Sequence, residues 1–240
     1  MSFLGKLFRN RVPIELCNIS DWHSHILPGV DDGIKTMDDA LSVLAVMERT
    51  GFKNVWLTPH IMEDIPNTVT DLQARFRELQ SLYDGGIHLQ LAAENMIDGL
   101  FSERLNSGHL LPIGENADML LVETSYFNAP ANIEGILTDI WKAGYKPLIA
   151  HPERYVYMDE ISGYGKWKEM GCLFQLNLLS LGGHYGTRAK KNALKLLAEG
   201  MYDYAGTDIH RQSHLTLLTD MKVPVNVARQ VERILAQGNF

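Results

Sequence analysis

His23 and His25 stand two residues apart in the run Asp21-Trp22-His23-Ser24-His25, and Asp208 and His210 repeat the spacing far along the chain. Residues two apart on an extended strand point to the same face, so each pair can reach one cation. Between them lie His60 after Thr58-Pro59, Glu94 after Ala92-Ala93, Glu123 after Leu121-Val122, and His151 at the head of His151-Pro152-Glu153-Arg154. Imidazoles and carboxylates with no thiolate among them point away from a purely structural zinc and toward manganese, iron or zinc in a hydrolytic site. The set exceeds the roughly three protein ligands that a catalytic zinc takes, so two or three divalent ions are expected. Such a centre lowers the pKa of water and clamps the attacking and leaving oxygens of a phosphoester. Arg154, three residues after His151, is placed to grip phosphate oxygens bidentately.

What must position these groups is a series of strand-then-helix units. Predicted strands cover residues 18–25, 54–58, 87–93, 119–122, 147–150, 172–176 and 202–205. Helical periods cover about 37–50, 70–83, 133–141 and 187–199, with Thr36 and Asp39 as an N-terminal cap and Gly51 as a stop. Strands alternating with helices imply right-handed crossovers and a parallel sheet. About seven of them imply an α/β fold closed, or nearly closed, into a barrel, read as a single domain over residues 1–240. In a parallel barrel all strand C-termini open on one rim, and each candidate ligand falls at such an end.

The 240 residues are 45% hydrophobic and 21% charged with a net charge of -7, which excludes a broad basic surface for nucleic acid. No stretch approaches the roughly 20 apolar residues of a membrane span. The first eleven residues carry too short an apolar run for a secretory signal and read as a frayed or barrel-capping start. Cys17 and Cys172 offer neither a disulfide framework nor a Cys-x5-Arg phosphate loop, and read as reduced core residues of a cytoplasmic protein. His88, His109 and His214 lie off the strand-end pattern and read as surface or helix-terminal. His184, in Gly182-Gly183-His184-Tyr185-Gly186, is open between a surface role and a substrate-side loop.

The run from Asp21 to Gly33 (DWHSHILPGVDDG) resembles the opening signature of the capsule-type bacterial protein-tyrosine phosphatases of the polymerase and histidinol phosphatase (PHP) superfamily. Thr58-Pro59-His60, Glu94, Val122-Glu123, Ala150-His151-Pro152-Glu153-Arg154-Tyr155 and Gly206-Thr207-Asp208-Ile209-His210 follow in that family's order. Gln175-Leu176-Asn177 and the run from Ser180 to Gly186 resemble its later blocks. The resemblance implies a distorted seven-stranded (β/α) TIM-like barrel with up to three divalent ions, manganese by preference. One ion would take His23, His25, Glu94 and Asp208; a second Glu94, Glu123 and His151; a third Asp32, His60 and His210. Arg154, Asp208 and His210 would be the catalytic groups. The implied reaction is hydrolysis of protein phosphotyrosine by a metal-activated hydroxide. The implied partner is the tail of a membrane-bound tyrosine autokinase that governs capsule or exopolysaccharide synthesis, which places the protein in the cytoplasm beside the inner membrane. The family's arginine a few residues past the last ligand pair has no counterpart at that position, and Arg211 and Arg188 are its candidate replacements.

Three rivals are distinguishable. A small-molecule phosphatase, such as one for histidinol phosphate, would have a buried pocket with extra polar walls. An amidohydrolase would use a carboxylated lysine where Glu94 and Glu123 stand. A non-catalytic phosphotyrosine-binding module would lack an essential ligand.

Overall fold

The computed structural model describes residues 10–158 and 161–237. The first ligand pair is followed by a helix whose ends are set by local chemistry. Thr36 accepts a hydrogen bond from the Asp39 amide at 3.1 Å, and Gly51 ends α1 (Met37–Thr50) in the left-handed conformation. A side-chain cap of this kind is worth about 1 kcal/mol. Ala40, Val43, Leu44 and Met47 form its buried face. The helices α2 (Val69–Leu82), α4 (Ile133–Lys142) and α7 (Gly186–Ala198) fall within about a residue of the expected spans. Five further helices lie where none is expected: α3 (Phe101–Ser107), α5 (Ile161–Glu169), α6 (Leu178–Gly182), α8 (Gln212–Asp220) and α9 (Val225–Gln237).

β1 (Arg11–Pro13) pairs antiparallel with β11 (Lys222–Pro224) outside the main sheet. Every other named strand pairs in parallel. β2 (Ile19–Asp21), β3 (Phe52–Leu57) and β5 (His88–Leu91) form one set. β4 (His60–Ile61), β6 (Glu94–Met96), β7 (Met119–Glu123), β8 (Lys146–Ala150), β9 (Leu173–Asn177) and β10 (Tyr204–Gly206) form the other. The result is a mixed α/β fold around a curled parallel sheet.

Three expected strand ends are corrected. β2 stops at Asp21, so His23 and His25 lie past it, on either side of the isolated Ser24 bridge. His60 and Glu94 open short second pieces, β4 and β6, after interruptions at Thr58-Pro59 and Ala92-Ala93. Pro59 has no N–H to give to a ladder, but its carbonyl accepts from the Glu94 amide at 3.1 Å, so the two runs stay in register. On the other side, Ser24 bridges Ile209 in parallel, and the Asp208 amide donates to the His23 carbonyl at 2.8 Å.

The main core lies between sheet and helices. A second cluster, Trp22, Trp56, Ala92, Ile113, Met119, Leu121, Leu148 and Ala150, gathers residues on and beside the strands that lead to the candidate ligands. Trp22 stacks on Trp56 at 5.9 Å and meets Tyr204 at 4.3 Å. Cys172 is buried, whereas Cys17 is exposed and corrects the expectation of two core thiols. Cys17 packs closely on Gly51, where a Cβ would lie 2.8 Å from Cys17 Cα and 3.3 Å from its Sγ. Among the described residues no helix is long and apolar enough to cross a membrane. The expectation for the chain's start concerns residues 1–11, of which 1–9 lie outside the described residues.

Candidate metal centre

Glu94 is the hub of the site. Its Oε2 lies 3.2 Å from His23 Nε2, 3.3 Å from His25 Nε2 and 3.2 Å from His60 Nδ1, and its Oε1 lies 3.0 Å from His151 Nε2. Glu123 stands opposite, with Oε1 at 3.1 Å from His60 Nδ1 and Oε2 at 3.8 Å from His151 Nε2. Asp208 Oδ1 faces His23, His25 and His210 at 3.6, 3.4 and 3.4 Å. Asp32 Oδ1 faces His60 Nε2 at 3.5 Å and His210 Nε2 at 3.4 Å. All nine expected ligands are therefore brought together. Three overlapping groups have ligand-scale spacing: His23, His25 and Glu94; His60, Glu94 and Glu123; and His25, Asp32, His60 and His210. The grouping differs from the expected sets: Asp208 is missing from the first, His60 stands in the second where His151 was expected, and His25 joins the third.

Most of these groups are removed from water. His23, His25, Glu94, Glu123, His151 and Asp208 are all at most 2% exposed. Burial alone would raise the Glu94 pKa, yet the His23 and His60 imidazoles hold it well below the ordinary value. Burial pushes His23 down, but Glu94 and Asp208 outweigh it and lift His23 to about 9. The carboxylates thus demand positive charge in their midst. His23 Nε2 and His25 Nε2 point at each other across 3.1 Å, and His60 Nδ1, His151 Nδ1 and Glu94 Oε2 are buried without a hydrogen-bond partner. Of these, His60 Nδ1 and Glu94 Oε2 face the site, and lone pairs so placed are what divalent cations require, so the residues present fit such ions.

The outer partners of the imidazoles were not among the expected site residues. His23 Nδ1 bonds Gln175 Oε1 at 2.6 Å, and His25 Nδ1 bonds Asp31 Oδ2 at 2.7 Å. Each contact directs the ring's Nε2 inward, the usual support for a ligating histidine. Asp31 also accepts from the His60 amide at 3.1 Å. The adjacent Asp31-Asp32 carboxylates and the Gln175-Leu176-Asn177 block were the available signals. Asp21 ties the first strand to the last, accepting from Thr207 Oγ1 at 2.6 Å and from its amide at 2.8 Å. Gly206 makes that approach possible, because a Cβ there would sit 2.4 Å from His23 Cβ. His151 and Asp208 adopt positive φ, 33° and 53°. For residues with a Cβ this strain costs on the order of 1–2 kcal/mol each.

Arg154 is the last residue of the short 3-10 turn Pro152–Arg154. Its guanidinium carbon lies 4.3 Å from the Tyr126 ring centre and 4.0 Å from that of Tyr185, and Nη1 donates to Asp208 Oδ2 at 3.0 Å. Glu153 anchors the turn from beneath. Its Oε1 accepts from the Asn177 amide and Ser180 Oγ, and its Oε2 from the Tyr202 hydroxyl. A 260 Å³ cavity joins Arg154, Tyr126 and Tyr185 to Asp32, His60, Glu94, His151, Asp208 and His210. Arg211, His184 and His214 also line it. His214 is helix-terminal as expected, in the first turn of α8, but not at the surface: it is buried at the site, where its Nδ1 accepts from the His210 amide at 3.3 Å. Burial and the neighbouring His184 and His210 push it down to about 4. Arg188 donates to the Val156 carbonyl, whereas Arg211 remains at the cavity. His88 and His109 are exposed, as expected. No lysine lines the cavity, among the described residues.

Fold and site together define an α/β protein built around a candidate multinuclear metal centre. Residues 19–222 match the family described as capsular polysaccharide synthesis, CpsB/CapC, and the chain belongs to it. Among its relatives, the tyrosine-protein phosphatase YwqE of Bacillus subtilis is 27% identical over 195 residues, covering 79% of this chain and 76% of that protein. The tyrosine-protein phosphatase CpsB of Streptococcus agalactiae is 28% identical over 210 residues, covering 79% and 82%. A crystal structure from work on YwqE of Bacillus subtilis and CpsB of Streptococcus pneumoniae, described as metal-dependent tyrosine phosphatases, superposes with a TM-score of 0.75. It is 24% identical and covers 92% of this chain and 96% of that one.

Proposed function

We propose that the chain is a metal-dependent phosphoric monoester hydrolase acting on phosphotyrosine in proteins. In this reading residues 1–240 form one domain, a distorted seven-stranded (β/α) barrel of the PHP type. The seven parallel runs and the Ser24–Ile209 bridge support it. His23, His25, Asp32, His60, Glu94, Glu123, His151, Asp208 and His210 are the ligands of two or three divalent ions. The mixture of imidazoles and carboxylates supports manganese first, with iron or zinc as alternatives. When bound, such ions supply an activated water and neutralise charge on the phosphoryl group.

The observation that carries the reading is Arg154, a guanidinium fixed in the same cavity as the ligand groups. Two tyrosine faces and the Asp208 carboxylate hold it in one orientation, leaving its other N–H groups for non-bridging phosphate oxygens. Asp208 then serves two ends, facing the His23–His25 pair through Oδ1 and orienting Arg154 through Oδ2. A tyrosyl oxygen, with a pKa near ~10, also departs more easily than a seryl alkoxide. The rim supports a protein substrate over a small buried ester: the Asp32 side chain is 65% exposed, and His184 and Arg211 are exposed beside it. The names of the relatives support phosphotyrosine and a role in capsule or exopolysaccharide synthesis. The corresponding partner is the tail of a membrane-bound tyrosine autokinase, met from the cytoplasm.

The test is hydrolysis of a phosphotyrosine peptide, a phosphoserine peptide and histidinol phosphate by metal-stripped protein, before and after manganese is added. Restored turnover confined to phosphotyrosine is expected. Restoration mainly on histidinol phosphate would assign the centre to a small-molecule substrate instead.

A further inference from the structure

The run Gly182-Gly183-His184-Tyr185-Gly186 supplies no ligand, yet it forms the wall between two cavities. On one side Tyr185 and His184 line the 260 Å³ cavity of the candidate centre. On the other, His184 lines a 400 Å³ groove with Leu179, Leu217, Met221, Arg11 and Lys222. The steps between them are short. The Arg154 guanidinium lies 4.0 Å from the Tyr185 ring, whose centre is 4.8 Å from that of His184. A peptide extended at ~3.3 Å per residue covers that path in about three residues.

The groove is apolar along its floor and cationic along its edge. Leu179 and Met221 are buried, while Leu217 stands 47% exposed between its buried helix neighbours Leu215 and Leu218. At the edge, Lys222 is exposed, and the Arg11 guanidinium is held there by the Lys222 carbonyl, Nε to O at 3.0 Å. Lys190 Nζ lies 3.5 Å from the Gly182 carbonyl, and Asp220 is the acidic member of the lining among the described residues. In a chain of net charge -7, cations outnumbering carboxylates at one edge favour an anionic guest there.

We infer that this groove seats the segment flanking the phosphotyrosine of the substrate protein, taking an apolar side chain over Leu217 and Met221 and an acidic one beside Lys222. The inference rests on the phosphotyrosine reading above and adds its sequence preference. His184 and Tyr185 form the sill over which the segment runs, which gives the glycine-flanked loop its role.

The test uses manganese-loaded full-length protein and three substrates: p-nitrophenyl phosphate, a phosphotyrosine peptide with Gly and Ser flanks, and one with Leu three residues and Glu five residues from the phosphotyrosine on both sides. The Leu/Glu peptide should show a kcat/KM roughly tenfold above the Gly/Ser peptide, mostly through KM, the size expected of one apolar side chain and one screened ion pair. Leu217→Glu with Lys222→Glu should erase that preference and leave p-nitrophenyl phosphate turnover unchanged. Both positions are exposed, and Lys222→Glu alone should remove the part due to the acidic residue. Equal turnover of the two peptides by the wild type, or a preference that survives both substitutions, overturns the groove while leaving the phosphotyrosine reading intact. Faster peptide turnover in the double variant would mean that another occupant, such as a second copy of this chain, holds the groove, and overturns it too. No turnover of any of the three substrates sinks both the reading and the groove.

Discussion

The inner strands present two unlike surfaces along their length. Leu121 lies two residues before Glu123 on β7, so the two share a strand face, while Ala92 and Ala150 come two and one residues before Glu94 and His151. All three apolar residues belong to the cluster with Trp22 and Trp56, and all three followers are buried ligand candidates. The apolar end contributes stability, about 1.5–3 kcal/mol for each large side chain taken from water. The polar end opposes it, through buried carboxylates, orphaned imidazole nitrogens and two left-handed residues, His151 and Asp208. The comparison teaches that one scaffold end is spent holding the other in an arrangement it would not adopt alone.

Substitutions can break that contrast. The largest effect is expected for Glu94→Ala, which removes the carboxylate shared by four imidazoles. Affinity for manganese should fall by more than the ~10–100-fold typical of losing an outer partner, with the far-ultraviolet circular dichroism unchanged; calorimetric titration reads the first and the spectrum the second. An unfolded variant would show that the polar end holds the fold together after all. Next comes Leu121→Ala at the apolar end, expected to cost about 2–5 kcal/mol in urea unfolding. Its folded fraction should still bind the wild-type number of metal ions by elemental analysis, and a changed stoichiometry would mean that the two ends are not separable.

Gln175→Leu sharpens the boundary between the ends, since Gln175 holds both His23 Nδ1 and the Trp22 carbonyl. Metal affinity should drop about 10–100-fold with little change in the urea midpoint; a midpoint loss without an affinity loss would make Gln175 a packing residue only. The smallest effect is chemical. Burial lifts the Cys172 thiol to about 12, while Cys17 is exposed, so Ellman's reagent should titrate one thiol in native protein and two in guanidinium. Two fast native thiols would show that the strand beginning at Leu173 is open at its base.

The candidate ligands were legible because strand ends are marked by residue type: nothing in an apolar strand's interior calls for His60, Glu94 or His151. The helix α1 was equally plain, since Thr36, Asp39 and Gly51 act within a turn of their own positions. What escaped depends on long-range geometry. Gln175 supports a ring 152 residues away, and the Tyr126 and Tyr185 faces around Arg154 come from separate loops. His214 looked peripheral because α8 was not foreseen, and it is that helix which turns the side chain back beneath His210. By contrast α9, with Val227, Ala228, Val231, Ile234 and Leu235 buried on one face, carries a plain helical period that lies past the last strand-end ligand. The interruption at Thr58-Pro59 is local chemistry, but its consequence, a shift of His60 into a second strand piece, is decided by pairing with Glu94.

The clasp between the first strand and the last, where Asp21 holds Thr207 across 186 residues, also sets an order of events during synthesis. His23 and His25 leave the ribosome early, whereas Asp208 and His210 emerge only after nearly all the sheet has been made. A nascent chain therefore carries a histidine pair that meets Glu94 long before the Asp208 carboxylate exists, and the full set of candidate ligands is assembled only once the last strand has appeared. The full candidate centre is thus available only to chains whose first and last strands have already met.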